Sequence, residues 1–293
     1  MYELIQAANN TYYINCPAKI GLYLDEGGSA YLIDSGNDKE AGRKVRQILD
    51  KNGWTLRAIL CTHSHADHIG GCKYLQAQTG CRIYAPGIER DFTRHTLLEP
   101  SLLYGGSPPK ALRHKFLMAQ ESDADELAST ELPDGFEIIP LPGHCFEMVG
   151  YRTPDNVVFL ADCLSSRATL EKYRIGFIYD VQAYLDTLEK VKALSAAFFV
   201  PAHADACEDV SELAQYNIDT ANEISERIKA ICAQPVSFES LLKRLFDEYA
   251  LEMSFEQYAL VGSTVKSYLA RLLDKGQLRA ICEDNMLLWV AAE

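Results

Sequence analysis

The stretch of sequence that decides the fold reads Thr62-His63-Ser64-His65-Ala66-Asp67-His68-Ile69-Gly70-Gly71. It follows the apolar run Ala58-Ile59-Leu60-Cys61, which predicts a buried strand. Side chains two positions apart on an extended segment face the same way, so His63 and His65 can share one metal ion. Asp67 and His68 come where the next helix begins and can turn towards a second ion. The motif therefore predicts a metal site at the exit of a strand.

Three later residues occupy the same kind of position, at the ends of strand-forming runs. The runs are Leu141-Pro142-Gly143-His144, Phe159-Leu160-Ala161-Asp162 and Phe199-Val200-Pro201-Ala202-His203. Polar side chains at the exits of apolar strands are where active sites carried by loops gather. Each of them alone would be read as a turn residue or a helix cap. Together with the first motif they complete a ligand set for two metals.

The same residues occur in the order and the strand-end contexts of the metallo-β-lactamase superfamily, which the sequence resembles over residues 1–206. Leu32-Ile33-Asp34-Ser35-Gly36 matches a further motif of the family, and the resemblance implies that Asp34 supports the metal site. The ligand set implied by the resemblance is His63, His65 and His144 for the first metal, Asp67, His68 and His203 for the second, and Asp162 as the bridge.

Strands and helices alternate along the first two thirds of the chain, which predicts an α/β fold. Residues 87–130 interrupt the alternation and are expected to form an insertion of short helices and loops. The family resemblance implies a four-layer αββα metallo-β-lactamase sandwich. We therefore expect a catalytic domain at residues 1–208 and a smaller helical, winged-helix-like domain, with its linking helix, at residues 209–293.

The second region is expected to be helical up to a final hairpin. Residues 209–232 have helical spacing, and Ser237 is a plausible N-cap for the helix that follows it. Ser263 is a plausible N-cap for a further helix that ends at Gly276. Residues 278–290 carry a hairpin signal. Helices followed by a hairpin resemble a winged-helix module.

Histidine and carboxylate ligands around two adjacent cations suit Zn²⁺, with Fe²⁺ or Mn²⁺ as alternatives. The expected cofactors are therefore two divalent metal ions. A water shared by two such ions loses a proton near neutral pH, so the expected nucleophile is a metal-bridging hydroxide. Asp67 is the expected catalytic residue, because its carboxylate can also orient that hydroxide by a hydrogen bond. These features predict a metallo-hydrolase.

The ligand positions differ from those of two branches of the superfamily, and these differences narrow the class of enzyme. No cysteine ligand of the kind used by the principal antibiotic-hydrolysing branch is evident, although Cys163 neighbours Asp162. His65 stands where the flavin-linked di-iron branch usually has glutamate. The first difference sets the chain apart from that antibiotic-hydrolysing branch, and the second favours hydrolysis over redox cycling.

Four functions remain open at this stage. The first is hydrolysis of a small ester, thioester or lactone, as in relatives that resemble glyoxalase II. The others are a phosphodiesterase or ribonuclease-like hydrolase, a mononuclear-iron sulfur dioxygenase, and a metal-sensing DNA-binding protein. Acidic residues outnumber basic ones in the tail, and Lys266 and Arg271 are the only basic residues in the expected recognition helix, 264–274. The first function is therefore preferred.

Composition agrees with a globular enzyme that acts on a small molecule. The 293 residues are 48% hydrophobic and 24% charged, which excludes a disordered or fibrous chain. The net charge of −13 argues against a general nucleic-acid-binding surface. No apolar run is long enough to cross a membrane. The nine cysteines are scattered without a CxxC pair and the amino terminus has no secretory signal, so reduced thiols and a cytoplasmic location are expected.

Substrate-binding residues cannot be assigned from the sequence, and a homodimer remains open. Lys172-Tyr173-Arg174 is either a contact for an anionic substrate or a solvated loop. His95 and His114 lie in the insertion and are expected to stay outside the ligand set.

Overall fold

A computed structural model describes residues 2–292. Its first half forms a seven-stranded sheet in which the strands lie in sequence order. The first three pairings are antiparallel and the last three are parallel. The strands are β1 (Glu3–Gln6), β2 (Thr11–Asn15), β3 (Ile20–Leu24), β4 (Ser29–Ile33), β5 (Thr55–Leu60), β6 (Arg82–Ala85) and β7 (Ala124–Glu126). The helices between them are α1 (Lys39–Asn52), α2 (Ala66–Ile69), α3 (Cys72–Thr79), α4 (Gly87–Arg94) and α5 (Leu98–Tyr104).

The second half forms a four-stranded mixed sheet with the order β11-β10-β9-β8. Its strands are β8 (Glu137–Pro140), β9 (Val149–Arg152), β10 (Val157–Ser165) and β11 (Phe198–His203). The helices α6 (Arg167–Tyr173) and α7 (Val181–Lys192) lie between β10 and β11 in the chain. Only β10 and β11 pair in parallel, because the connection between them contains these two helices.

The two sheets pack face to face. Tyr13, Ile33 and Leu60 of the first sheet share one apolar cluster with Tyr151 and Phe159 of the second. Gly21 permits this approach, because a Cβ there would meet the ring of Phe159.

Helices cover the outer face of each sheet. Val45 and Leu49 of α1 pack with Leu75 of α3 on the first sheet, and Leu185 and Leu188 of α7 pack on the second. The four layers form the αββα sandwich that the resemblance implied, so the predicted fold class is confirmed.

The tail continues the core of the second sheet. Residues Ile224, Leu245 and Leu269 belong to the same apolar cluster as Leu160 and Leu188 of the second half. The elements of the tail are α8 (Ser211–Ile231), β12 (Val236–Ser237), α9 (Phe238–Glu248), α10 (Phe255–Asp274), β13 (Leu278–Glu283) and β14 (Met286–Ala291). The strands form a third sheet with the order β12-β14-β13.

The hairpin of the tail follows from its turn residues. Asp284 and Asn285 both have positive φ, as the two central residues of a type I′ turn require. Ser237 is the N-cap of α9, since its side chain accepts a hydrogen bond from the backbone N–H of Ser240. None of the helices within residues 2–292 combines the length and the apolarity that a membrane crossing requires.

Two expectations about single elements are wrong. Ser263 does not start a helix: α10 begins at Phe255, where the Ser254 side chain caps the backbone N–H of Gln257, and Ser263 donates to Leu260 O inside the helix. The insertion is more than helices and loops, because its residues 124–126 form β7 and pair in parallel with β6. The free edge of β6 supplies the backbone partners that this short segment needs.

Candidate metal centre

The loop and helix that follow β5 bring four of the seven predicted ligands to one edge of the first sheet. His63 and His65 lie in the loop, and Asp67 and His68 lie in α2. His65 is the N-cap residue of α2, and its carbonyl accepts hydrogen bonds from the backbone N–H groups of His68 and Ile69. The tight turn after this loop therefore places all four side chains at the end of β5.

The second sheet brings the other three to the same place. His144 lies in the loop between β8 and β9. Asp162 lies inside β10, and His203 is the last residue of β11. We expected both residues just beyond the ends of their strands, and that expectation is wrong. The pairing of β10 with β11 shifts register at Ala161, which has a φ of 49°. This irregularity carries Asp162 to the site although its strand continues to Ser165.

The seven side chains form two four-residue clusters that share Asp162. Within each cluster one ligand atom from every residue lies within 4.8 Å of the others. The clusters are His63, His65, His144 and Asp162, and Asp67, His68, Asp162 and His203. Both clusters have the size and the nitrogen and oxygen donors of a transition-metal site.

Each of the five histidine rings has a partner for the nitrogen that points away from the clusters. Four of these partners are within hydrogen-bonding distance of an Nδ1 atom, and the fifth, a carboxylate, lies 3.5 Å from His65 Nε2. The pairs are His63 with Thr62 Oγ1, His65 with Glu99 Oε1, His68 with Asp34 Oδ2, His144 with Phe177 O and His203 with Pro17 O. Such partners fix the ring orientation of metal-binding histidines.

The Asp34 carboxylate forms hydrogen bonds that fix the conformation of the first motif. Its Oδ1 accepts from the backbone N–H of Thr62 at 2.8 Å, and its Oδ2 lies 2.7 Å from His68 Nδ1. The Thr62 hydroxyl also donates to Asp34 and lies 3.0 Å from His63 Nδ1. One buried carboxylate thus holds the rings of both His63 and His68 in place.

The nitrogens and oxygens that point into the clusters lack ordinary partners. Among residues 2–292, His63 Nε2, His68 Nε2 and Asp162 Oδ1 are buried without a hydrogen bond of acceptable geometry, and the last two lie 2.9 Å from each other. His65 Nδ1 lies only 3.0 Å from His144 Nε2. Buried polar atoms are nearly always paired, so unpaired nitrogen and oxygen atoms gathered in two adjoining clusters fit bound cations. The residues present therefore fit divalent metal ions.

The two clusters differ in charge when no cation is bound. Burial and the neighbouring His65 lower the pKa of His144 to about 3, and burial lowers the pKa of His63 well below its ordinary value. The rings of His63 and His144 are therefore neutral, as metal binding requires. In the second cluster the carboxylate of Asp162 raises the pKa of His203 to about 10. His203 thus holds a proton where a cation would bind.

Two glutamates of the insertion, the buried Glu89 and the partly buried Glu99, also contact the site, and we did not anticipate them. Glu89 of α4 accepts hydrogen bonds from the backbone N–H groups of Ser64 and Glu147, which ties the loops of His65 and His144 together. Glu99 of α5 lies beside His65. The sequence carries no signal for either role, since a glutamate in a short amphipathic helix is typical of a solvated face.

His95 and His114 lie outside both clusters. His95 is exposed, and His114 Nε2 lies 2.9 Å from Glu256 at the start of α10.

Comparisons with known proteins identify the family. The family model described as "Metallo-beta-lactamase superfamily" matches residues 15–203. The chain therefore belongs to the metallo-β-lactamase superfamily, and the resemblance seen in the sequence is confirmed.

Among curated proteins, the chain is similar to hydroxyacylglutathione hydrolases. It is 30% identical over 137 residues to that of Pseudomonas entomophila, which is 45% of this chain and 42% of the relative. The match to the enzyme of a Bradyrhizobium species is 55% identical over 47 residues, 18% of that protein. The chain thus spans less than half the length of these relatives. A "Beta-lactamase-like protein 2 homolog" of Drosophila melanogaster is 21% identical over 269 residues, 87% of this chain and 82% of the relative.

Solved structures show the same fold over almost the whole chain. A "Beta-lactamase domain protein" from Burkholderia ambifaria superposes with a TM-score of 0.72 at 19% identity, covering 99% of this chain and 94% of that one. A metallo-beta-lactamase family protein from Thermus thermophilus superposes with a TM-score of 0.68 at 17% identity, covering 99% and 98%.

Proposed function

We propose that this metallo-β-lactamase superfamily hydrolase cleaves a small thioester or ester, with a lactone as the related cyclic case, at a site that binds two divalent cations. The observation that carries the proposal is the pair of clusters sharing Asp162. The similarity to proteins named hydroxyacylglutathione hydrolase favours a thioester among these substrates.

The proposed ligands are the seven predicted residues. His63, His65 and His144 would hold one cation, Asp67, His68 and His203 the other, and Asp162 would contact both. Zn²⁺ suits this donor set, with Fe²⁺ or Mn²⁺ as alternatives. When bound, the two cations would act as Lewis acids that make water acidic near neutral pH and polarise the carbonyl group under attack.

The protein's own residues would orient the reaction. Asp67 is only partly buried and its Oδ2 lies 3.2 Å from His203 Nε2, so it can accept a hydrogen bond from an attacking water and orient it. Water adds its oxygen to the carbonyl carbon, the bond from that carbon to sulfur or oxygen breaks, and the leaving group departs with a proton. Phe177, whose ring lies 5.2 Å from that of His65, shields one side of the site from solvent.

The packing of the tail favours a small substrate over a nucleic acid. Arg271 Nε donates to Gln182 of α7, and the Ser267 hydroxyl donates to Tyr179 O. The face of α10 that carries these residues therefore lies against the second half, at the start of α7. A helix held in this way cannot enter a DNA groove with that face.

The division into residues 1–208 and 209–293 stays a proposal. It is supported by the family match, which ends at residue 203, just before the tail. We regard the second part as a winged-helix-like module, because its element order is helix, strand, two helices and a hairpin. Its proposed role is structural.

The test is hydrolysis of a thioester series by protein loaded with a known amount of Zn²⁺. We expect Asp162→Ala to lower kcat/KM by at least about a thousandfold, since a carboxylate shared by both cations is lost. Bound metal is measured on the same samples. The matched control is His95→Ala, which removes an exposed histidine outside the clusters and should leave both quantities as in the natural protein. Turnover by Asp162→Ala at the natural rate would contradict the proposal.

A further inference from the structure

A small cavity opens from the proposed metal centre into the interface between the second half and the tail. Its volume is about 60 Å³. His144, Asp162 and His203 line one side, and Arg174, Asn217 and Tyr268 are among the residues that line the rest. An engineered cavity of about 150 Å³ takes up benzene, so this one suits a smaller group.

Two polar side chains of the cavity wall already have their hydrogen bonds inside the protein. Asn217 is saturated: its Oδ1 accepts from Ser165 N and from the Tyr184 hydroxyl, and its Nδ2 donates to Ser165 O and Leu213 O. The Thr220 hydroxyl donates to Tyr216 O.

Tyr268 is only 1% exposed, and its buried hydroxyl has no hydrogen-bond partner within the described residues. A buried hydroxyl without a partner costs stability. A ligand that accepts a hydrogen bond from it would remove that cost.

Arg174 adds a cation to the same wall. It has a φ of 60° and a ψ of −62°, and Ile175 N donates to Tyr173 O. This is the geometry of a strained γ-turn, which is rare for a residue with a side chain. The guanidinium lies 3.5 Å from Glu223 and stacks on Tyr249, contacts that occupy only part of its five N–H donors.

The remaining walls are apolar, with Leu170, Phe177, Ile178 and Ile224 among them. A group that fits this cavity therefore has a short apolar stem and an acceptor at its far end. An anion suits the position of Arg174, because guanidinium groups bind carboxylates with paired hydrogen bonds.

We propose that this cavity is the acyl-group subsite and that it takes a short acyl chain ending in a carboxylate, bound by Arg174 and the Tyr268 hydroxyl. The inference rests on the proposed function, since it names the acyl half of the substrate. The scissile carbonyl would lie beside His144, Asp162 and His203, and the leaving group would lie outside the cavity.

The test compares two thioesters of the same thiol, N-acetylcysteamine, that differ only at the end of a four-carbon acyl chain. Succinyl thioester carries the carboxylate and butanoyl thioester does not. We expect the zinc-loaded protein to prefer succinyl over butanoyl by about tenfold or more in kcat/KM. Tyr268→Phe and Arg174→Gln should each lower that ratio by about tenfold.

The matched control is Tyr258→Phe, which removes a hydroxyl from the same helix, α10. The Tyr258 hydroxyl donates to Glu239 and its residue does not line the cavity, so the ratio should stay as in the natural protein. Tyr268→Phe should not lower the melting temperature, because the hydroxyl that it removes has no partner. If the natural protein cleaves these thioesters, no preference for succinyl, or an unchanged preference in Tyr268→Phe, would overturn the proposal.

A binding measurement separates this proposal from the proposed function. Succinate itself should raise the melting temperature of the natural protein, and the shift should be at least halved in Tyr268→Phe. If neither thioester is cleaved but this pattern holds, the subsite stands and the proposed function fails. If both thioesters are cleaved and succinate gives no shift that depends on Tyr268, the proposed function stands and the subsite is wrong.

Discussion

At the scale of single residues, His203 links metal binding to pH. Its Nε2 lies 3.1 Å from Asp162 Oδ2, and that carboxylate raises the pKa of the ring from an ordinary value of 6.5 to about 10. Between these two values the metal-free folded protein holds a proton on His203 that the unfolded chain does not. The stability from this ion pair is therefore complete below pH 6.5 and is lost as the pH rises through about 10.

We expect metal uptake at pH 7.5 to release this proton, because a coordinated imidazole must be neutral. Calorimetric titration with Zn²⁺ in two buffers of different ionisation enthalpy measures the number of protons released. His203→Ala should release roughly one fewer. Equal proton release by the two proteins would show that His203 is already neutral in the metal-free state.

The residues of the first motif could be predicted because they are close in sequence and have an unusual composition. Glu89 and Tyr268 could not, since each meets the site only through tertiary packing. Glu89 is 25 positions from Ser64, which donates to it, and nothing in the sequence near Tyr268 distinguishes it from a core tyrosine of an amphipathic helix.

At the scale of elements, the turn that carries His144 is clamped to the start of α7. Gly143 has a φ of 121°, and a Cβ there would overlap the backbone of Tyr184. Its carbonyl accepts from the backbone N–H groups of Tyr179 and Asp180 at 3.0 and 2.9 Å. Glycine is therefore required at this position by both its conformation and its packing.

Gly143→Ala should lower the free energy of unfolding by about 3 kcal/mol and displace His144 from the first cluster. Denaturant unfolding and bound metal are measured together. The matched control is Gly176→Ala, since a Cβ at Gly176 meets nothing within 4 Å. A stable Gly143→Ala protein that binds metal normally would contradict this account of the turn.

Element types were easier to predict than element boundaries. The type of α10 was clear from its apolar spacing, but its start was misplaced at Ser263. Gly262, the residue before Ser263, lies inside the helix and packs near the ring of Phe238. Serine is a preferred N-cap residue, so Ser254 and Ser263 are both suitable by residue type. The hydrogen bond from Gln257 N–H to the Ser254 hydroxyl identifies Ser254 as the cap.

At the scale of the whole molecule, the tail and the second half share one core. Leu241, Leu245 and Leu269 of the tail are almost completely buried in the cluster that also contains Leu188 of α7. Removing the tail would expose the outer face of the second sheet and its helices.

We expect residues 1–208 expressed alone to be insoluble or to unfold without cooperativity, while the full chain unfolds in one transition. Solubility, near-ultraviolet circular dichroism and thermal unfolding measure this. A monomeric 1–208 fragment with a sharp transition would show that the tail is an independent domain, and the shared core would then be dispensable.

The position of the candidate metal centre between the two sheets has a mechanical consequence. The first sheet supplies His63 and His65 to one cluster, and the second supplies His144 and Asp162 to the same cluster. A cation held there would act as a crosslink that closes a long loop between the halves of the chain, as a disulfide does. Chelation would then resemble cutting a crosslink, and amide hydrogen exchange should quicken first along the seam where the two sheets meet.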